Sequence, residues 1–521
     1  MNYSDFLKMI PEATLLAILL VFFVADFVSA RQADRKWFNP LACILLFAQT
    51  ILCLLPLGGT EAFGGMYQTT PATHAMKAIL TLGTLIVFIM SRAWVTSDKV
   101  RRMEGEYYML IVSTLLGMYA MMSAGHFLMF FLGLEMASVP LATLVAFDLY
   151  RKNSAEGAAK FILTATFSSG VMLYGISFIY GACGTLYFAD VAAKLAASPL
   201  AIMGMVFFFS GLAFKISLVP FHFWTADTYQ GAPTPVTGYL SVVSKGAAAF
   251  TLCTILIHVF ASMVAYWQVV LMIIVVLTIT VANLFAIRQS ELKRFMAFSS
   301  ISQAGYIVLA ILGDSAISLA SLSYYILVYV VANMAVFSII SVVEQNNGGK
   351  TDIDDYNGFY KTNPRLSFLM TLALFSLGGI PPFAGMFSKF FVFMAGVHGA
   401  DVTTHLGGWA YAVVFIALVN TVISLYYYLK IVKAMYIKRN DNPLPTFTSD
   451  CGTKFALALC TTGVLLFGIC SGVYDWIAQA CNFIQMEGHR LFISIFSSGR
   501  LRAYRSFFII HTYALNAILF Y

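Results

Sequence analysis

About fourteen apolar stretches of roughly 20 residues, nearly free of charge, divide this chain. They lie near residues 10–30, 40–58, 74–94, 107–124, 126–147, 157–182, 199–228, 236–261, 266–287, 297–312, 316–343, 365–398, 407–438 and 454–480. Hydrocarbon offers the backbone no hydrogen-bond partner, so a segment of this kind must close its own bonds as a helix or join a closed barrel. The alternation of a barrel strand is absent, which leaves helices. Only 11% of the 521 residues are charged, against roughly 25% in soluble domains. The predicted fold class is an all-α polytopic membrane protein of about 14 transmembrane helices. The same composition excludes a disordered chain, a collagen and a disulfide scaffold. The 8 cysteines are scattered, with no C-x-x-C pair, and read as small core hydrophobes. The first apolar run has no basic flank or small-residue cleavage site ahead of it, so it reads as a retained span.

Basic residues set the orientation. Alternate loops carry Arg31, Arg35 and Lys36; Arg92, Lys99, Arg101 and Arg102; Arg151 and Lys152; Arg288, Lys293 and Arg294; Lys350, Lys361 and Arg365; and Lys430, Lys433, Lys438, Arg439 and Lys454. The opposite side holds only Lys8, Lys77 and Lys194. Positive loops stay in the cytoplasm, so the N-terminus is expected outside. The tail from Glu487 breaks this pattern. It is basic (Arg490, Arg500, Arg502, Arg505), and its last apolar run, 506–521, is short for a span. It reads as an interfacial segment, with a tilted fifteenth span as the alternative.

A charge at the bilayer centre costs about 2.5–3.5 kcal/mol on insertion scales, so those a chain keeps are functional candidates. Glu135 lies about nine residues into its run, near the midplane. Lys215, Lys245 and Lys389 are similarly embedded. Lys160 stands nearer a cytoplasmic helix start, where it can snorkel or serve as a relay. Two of the lysine spans contain helix breakers: Pro220 follows Lys215, and Gly378, Gly379, Pro381 and Pro382 precede Lys389. Broken spans at membrane depth mark cavities and transport sites, above all when two halves of a chain carry them in corresponding places. Burial lowers a lysine's proton affinity and a nearby carboxylate raises it, so a lysine with a movable carboxylate is a switchable proton holder. Glu135 is the natural switch partner. Ser217, Ser244 and Ser388 stand next to the lysines as candidate hydroxyl donors and acceptors. Asp26, near the end of the first span, reads as a local structural group.

Among the histidines, His222 sits at the first break and reads equally as relay or hinge. His126 and His258 read as structural, and His398 and His405 as loop residues. Phosphate-binding glycine loops, zinc-protease helices and metal-spaced Cys/His sets do not occur in the sequence. The loop DIDDYNG (Asp352 to Gly358) has a superficial calcium-loop look, but Tyr356 falls on a ligand position and Asn363 where the closing glutamate belongs. No metal and no cofactor are therefore expected in this chain.

The run FKISLVPFHFWTADTYQGAPTPVTGYLSVVSK (Phe214 to Lys245) resembles the antiporter-like membrane subunits of bacterial respiratory complex I, the NADH-quinone oxidoreductase. FLGLEMASVPL (131–141), LKRFMAFSSISQAGY (292–306), DIDDYNG and LFSLGGIPPFAGMFSKF (374–390) agree in order and spacing, so the resemblance covers roughly 105–435. Within the family, the YQGAP stretch (Tyr229 to Pro233) is similar to the subunit N type. The resemblance implies two inverted five-helix repeats, spans 4–8 and 9–13, with spans 7 and 12 broken. It implies a three-span segment at 1–104, repeats at 105–262 and 263–440, a last span at 441–486 and an atypical tail at 487–521. Glu135 then matches the span-5 glutamate, Lys215 its span-7 partner and Lys245 the central span-8 lysine. Lys389 matches the span-12 residue facing the exit or the next subunit; it is lysine here, as in subunit N, where subunit M has glutamate. Subunits M and K are the implied neighbours in a bacterial inner membrane. An NADH-type donor, flavin, iron–sulfur clusters and quinone are implied in partner subunits, with redox chemistry there driving proton translocation here. A multisubunit sodium/proton antiporter shares the Glu–Lys pattern and is the alternative, with a membrane-bound hydrogenase relative behind it. A pure spacer would not keep four buried charges.

Overall fold

The computed structural model describes residues 3–29, 35–97, 100–313, 316–402, 407–441, 443–470 and 472–482. The tail with Glu487, Arg490, Arg500, Arg502 and Arg505 lies outside the described residues, as do Arg31, Lys99 and His405.

The helices follow one another as α1 (Ile10–Ser29), α2 (Phe38–Leu54), α3 (Pro71–Val95), α4 (Glu104–Met122), α5 (Phe127–Val145), α6 (Lys152–Cys183), α7 (Phe188–Lys194), α8 (Pro199–Ile216), α9 (Phe223–Gly231) and α10 (Thr234–Tyr239). They continue as α11 (Lys245–His258), α12 (Val264–Ile287), α13 (Leu292–Leu309), α14 (Ala316–Asn346), α15 (Phe359–Thr362), α16 (Pro364–Gly378), α17 (Ala384–Val402), α18 (Trp409–Tyr436), α19 (Cys451–Ile469) and α20 (Gly472–Asn482). A hairpin of β1 (Thr60–Ala62) and β2 (Tyr67–Thr69) joins α2 to α3.

Each apolar run of the sequence falls on helix, with the runs at 199–228 and 365–398 each divided by a break, and the starts follow local chemistry. Thr70 accepts the Thr73 N–H ahead of Pro71 at the head of α3, and Ser198 does the same for Ala201 ahead of Pro199 in α8. Glu291 caps α13 and Asp450 caps α19 through their carboxylates. One run is corrected: 454–480 is two helices, α19 and α20, because the chain leaves the helix at Cys470.

α13 and α14 form the centre, wholly buried, whereas α1, α6 and α12 expose most of their length as an outer shell. Small residues let the helices approach. A Cβ on Gly133 of α5 would stand 2.5 Å from the Met121 N of α4, and one on Gly175 of α6 equally close to the Phe208 N of α8.

Two spans break in the same way. α8 ends at Ser217 and α16 at Gly379, both in the left-handed region (φ 68° and 86°). In each, the next residue's N–H reaches back past the turn: Leu218 to the Ala213 carbonyl at 2.8 Å, Ile380 to the Phe375 carbonyl at 3.0 Å. Each left-handed residue is followed three positions later by a proline, Pro220 and Pro382. At the first break the Val219 N–H donates to Thr278 Oγ1 (3.0 Å) and Trp224 Nε1 to the Phe214 carbonyl (3.2 Å). Freed backbone groups are thus met by the protein around them.

At the second break α16 and α17 touch through Gly385, where a Cβ would overlap the Ser376 carbonyl oxygen. Gly385→Ala is expected to destabilise the protein by about 2 kcal/mol or more, read as a lower Tm and a loss of assembled complex on native gels. Gly170→Ala, with nothing near its Cβ, is the control and should be neutral. The orientation is checked by labelling in a background with the exposed Cys451 and Cys470 replaced by serine. Ser290→Cys, in the α12–α13 loop, should react only from the cytoplasm, and Glu61→Cys, in the hairpin, only from outside; the reverse would invert the topology.

Candidate functional site

Glu135 and Ser138 stand one turn apart on α5. Ser138 receives the ammonium of Lys215 at 2.7 Å, at the last turn of α8 just before the break. Glu135 is half-buried, close enough to act on Lys215 electrostatically, but makes no ion pair with it, and its Oε1 has no hydrogen-bond partner among the described residues. Past the break, His222 is buried with Nδ1 unpartnered, and Ser217 Oγ and Thr225 Oγ1 are buried and unpartnered beside it in the chain. His222 falls within the electrostatic reach of Lys245, between the first lysine and the second.

Lys245 opens α11 directly after a π-helical turn, Leu240–Ser244. Such turns widen a helix locally and recur at functional sites. Its ammonium donates to Ser300 Oγ of α13 at 2.8 Å and lies 5.2 Å from the centre of the Tyr229 ring. Ser300 in turn donates to the Ser241 carbonyl (3.4 Å), and the Tyr229 hydroxyl is 3.4 Å from it.

Lys389, in α17, donates to the Gly378 carbonyl at the end of α16 (3.2 Å) and lies 5.0 Å from the Tyr306 ring centre. Beside it is a small cavity of about 10 Å³ open to a water centre, room for about one water. Gln303, Tyr325, Tyr329, Ser388 and Lys389 supply its polar lining. Gln303 Nε2 donates to the Leu377 carbonyl (3.3 Å) and the Tyr428 hydroxyl (3.1 Å), and its Oε1 accepts from Tyr325. The Leu377 carbonyl only accepts, which fixes the amide orientation. Tyr329 OH is buried and unpartnered. Hydroxyl groups thus surround Lys245, and hydroxyls, an amide and a small cavity surround Lys389.

The three lysines are 4%, 2% and 2% exposed, so none faces lipid. Lys160 is not brought to this axis. It lies on the surface, paired with Asp227 (2.6 Å) and Glu156 (2.7 Å), while Arg294 holds the other Asp227 oxygen at 2.5 Å. The direct hydrogen-bond partners given for the three lysines are not the serines beside them in the chain. Ser217 Oγ is unpartnered and Ser388 donates to the Gly385 carbonyl; the lysines use Ser138, Ser300 and Gly378 instead. Adjacent helix residues point in different directions, so a lysine's partner comes from across the interface.

Asp26 pairs with Arg35 at 2.5 Å, a local structural group as expected, and His126 Nδ1 caps α5 by accepting the Leu128 N–H. In the DIDDYNG loop, Asp355 accepts from Asn347 (2.8 Å), and Lys438 at 3.1 Å holds the Asp354 carboxyl below the usual range. Lys77, expected as a loop charge, is instead fully buried in α3 and paired with Glu12, a residue with no marked signal in the sequence.

Comparison with known proteins places this geometry. Residues 124–418 match the family described as NADH:quinone oxidoreductase/Mrp antiporter, transmembrane. The chain is similar to the NADH-quinone oxidoreductase subunit N of Phocaeicola vulgatus, 57% identical over 480 residues, covering 92% of this chain and 99% of the relative. It is 48% identical to the subunit N of Azobacteroides pseudotrichonymphae over 481 residues, 92% of this chain and 98% of that one. Among solved structures, a chain of respiratory complex I from Thermus thermophilus superposes with a TM-score of 0.74 at 28% identity, covering 89% of this chain and 98% of that one. A chain of the Mrp complex from a Dietzia species shares the fold, with a TM-score of 0.80 at 18% identity, covering 92% and 98%. This chain belongs to the NADH:quinone oxidoreductase/Mrp antiporter family of transmembrane subunits, in its NADH-quinone oxidoreductase subunit N branch.

Proposed function

We propose that this chain is a proton-translocating membrane-arm subunit of an NADH-quinone oxidoreductase, and that Glu135, Lys215, Lys245 and Lys389 carry the proton. One observation supports this most. Three buried ammonium positions have only hydroxyl, carbonyl and ring-face partners, with no carboxylate bound to any of them among the described residues. A buried charge without a counter-charge is costly. Such a lysine holds its proton only while a carboxylate or a second proton-accepting group is within reach.

In this reading Glu135 approaching Lys215 favours the ammonium, and its withdrawal to the separation seen here releases the proton toward His222. The imidazole passes it to Lys245, and Ser300 and the Tyr329-lined cavity bridge to Lys389. Each step moves one proton from a donor to an acceptor, and no redox centre is needed in this chain. The energy comes from quinone reduction in partner subunits, with an NADH-type donor, flavin and iron–sulfur clusters held there. Subunits M and K are the proposed neighbours. The proposed setting is a bacterial inner membrane, N-terminus outside. Identity of 57% to a subunit N over nearly the whole chain, against a likeness of fold alone to the Mrp complex, favours this reading over a sodium/proton antiporter.

Glu135→Gln keeps the size of the side chain and removes its charge. The complex should assemble on native gels and reduce quinone, while proton uptake into inverted vesicles, followed with a pH-sensitive dye, falls for each quinone reduced. Wild-type pumping in the assembled variant would overturn the assignment.

A further inference from the structure

Lys77 is fully buried, and its ammonium meets Glu12 Oε1 at 2.6 Å. Two hydroxyls hold the same carboxylate: Tyr67 OH donates to Oε2 at 2.8 Å and Ser123 Oγ to Oε1 at 3.2 Å. Rings of Tyr67 and Tyr119 flank the ammonium at 5.6 and 5.3 Å. Glu12 is the third residue of α1 and Lys77 the seventh of α3, so both lie within two turns of helix ends where a long side chain could reach water. The hairpin closes over them instead: Gln68 N–H bonds to the Ser123 carbonyl and Gly125 N–H to the Met66 carbonyl, both at 2.8 Å.

The pair is one part of a longer pattern. His74, Lys77, Thr81 and Thr84 are spaced three, four and three apart, which puts them on one face of α3 over about 15 Å, half the hydrocarbon thickness. All four are buried. His74, at the end nearest the α2–α3 loop, has no hydrogen-bond partner for either ring nitrogen among the described residues. Thr81 Oγ1 is hydrogen-bonded to Tyr119 OH, which also donates to the Lys77 carbonyl (3.3 Å). Thr84 stands beside Tyr239, whose hydroxyl bonds to Thr114 at 2.7 Å. Tyr239 immediately precedes the π turn, whose Ser241 carbonyl accepts from Ser300, the partner of Lys245. Cys53 of α2 also borders this cluster, 3.4 Å from Tyr119 OH.

We propose that this face of α3 is an outward proton route, running from Lys245 past Tyr239, Thr84 and Thr81 to a second switchable glutamate–lysine pair, Glu12–Lys77, with His74 on its outer side. The inference rests on the proton-translocating reading above. The two pairs are caught in opposite states. Lys77 is engaged by its carboxylate, whereas Lys215 is disengaged from Glu135 and rests on Ser138. An engaged pair keeps the proton on the lysine; disengagement hands it to the neighbouring imidazole and outer water. The Lys293–Glu344 contact does not compete for this role. Glu344 is also held at 2.6 Å by Arg151, whose guanidinium does not give up its proton.

A mere staple and a proton station respond differently when both partners are replaced together. A buried pair exchanged for neutral side chains of similar shape stays folded, whereas removing one partner strands a charge. In the complete complex, Glu12→Gln with Lys77→Met should therefore assemble and still reduce quinone. Protons moved per quinone reduced should fall to the level of Glu135→Gln. Tyr239→Phe, which deletes only a hydroxyl from the same route, should lower that ratio equally, and Glu12→Asp should retain it. Wild-type ratios in the double variant and in Tyr239→Phe, alongside a reduced ratio in Glu135→Gln, would overturn the route and leave the proposed function standing. A wild-type ratio in Glu135→Gln would instead remove the reading on which the route rests. If the double variant does not assemble, Tyr239→Phe decides alone.

Discussion

A lysine nitrogen sealed in a dry helical bundle, resting on a hydroxyl or a carbonyl with no carboxylate bound to it among the described residues, is the condition on which this architecture turns. Lys215, Lys245 and Lys389 all meet it. Each helix that carries one is also irregular: α8 ends just past Lys215, a π turn precedes Lys245, and the α16–α17 break precedes Lys389. Regular helices cannot supply spare polar groups at membrane depth, because their own backbone uses them. The irregularities free carbonyls such as that of Gly378 and make room for hydroxyls from neighbouring spans.

The rest of the bundle holds these irregular spans rigid. Glycine contacts draw α4 onto α5 and α6 onto α8, so the helix with Glu135 and the helix with Lys215 each sit on a close-packed support. Near the C-terminal end of α14, Glu344 ties together Arg151, Lys293 and Thr234, elements from both halves of the chain. Fixed ion pairs of this kind contrast with the uncompensated lysines. The first hold elements in place; the second, in the proposed reading, leave a proton free to move.

Much of this was legible in the sequence. Fourteen apolar runs marked the helices, because a backbone in hydrocarbon must satisfy its own hydrogen bonds. Lys215, Lys245 and Lys389 stood out as candidates, because a charge inside such a run is costly to keep, and all three are buried. Pro220 and the Gly378–Pro382 segment announced the breaks. The π turn before Lys245 left no trace, since Leu240–Ser244 reads as ordinary helix. The partners Ser138, Ser300 and Gln303 were hidden because a serine or glutamine in a span looks like any small polar packing residue until the opposing helix is known. Lys77 was misread, and Glu12 passed over, for the opposite reason. Near helix ends, charges normally snorkel to water, and nothing local reveals that the hairpin buries them.

The proposed route runs through Lys245, between Lys215 and Lys389, so the account stands or falls most directly on that side chain. The decisive measurement is the number of protons moved per quinone reduced by the assembled complex carrying Lys245→Met, whose side chain fills the same space without a charge. The account predicts intact assembly and quinone reduction with a lowered proton ratio. An assembled variant that pumps at the wild-type ratio would contradict it.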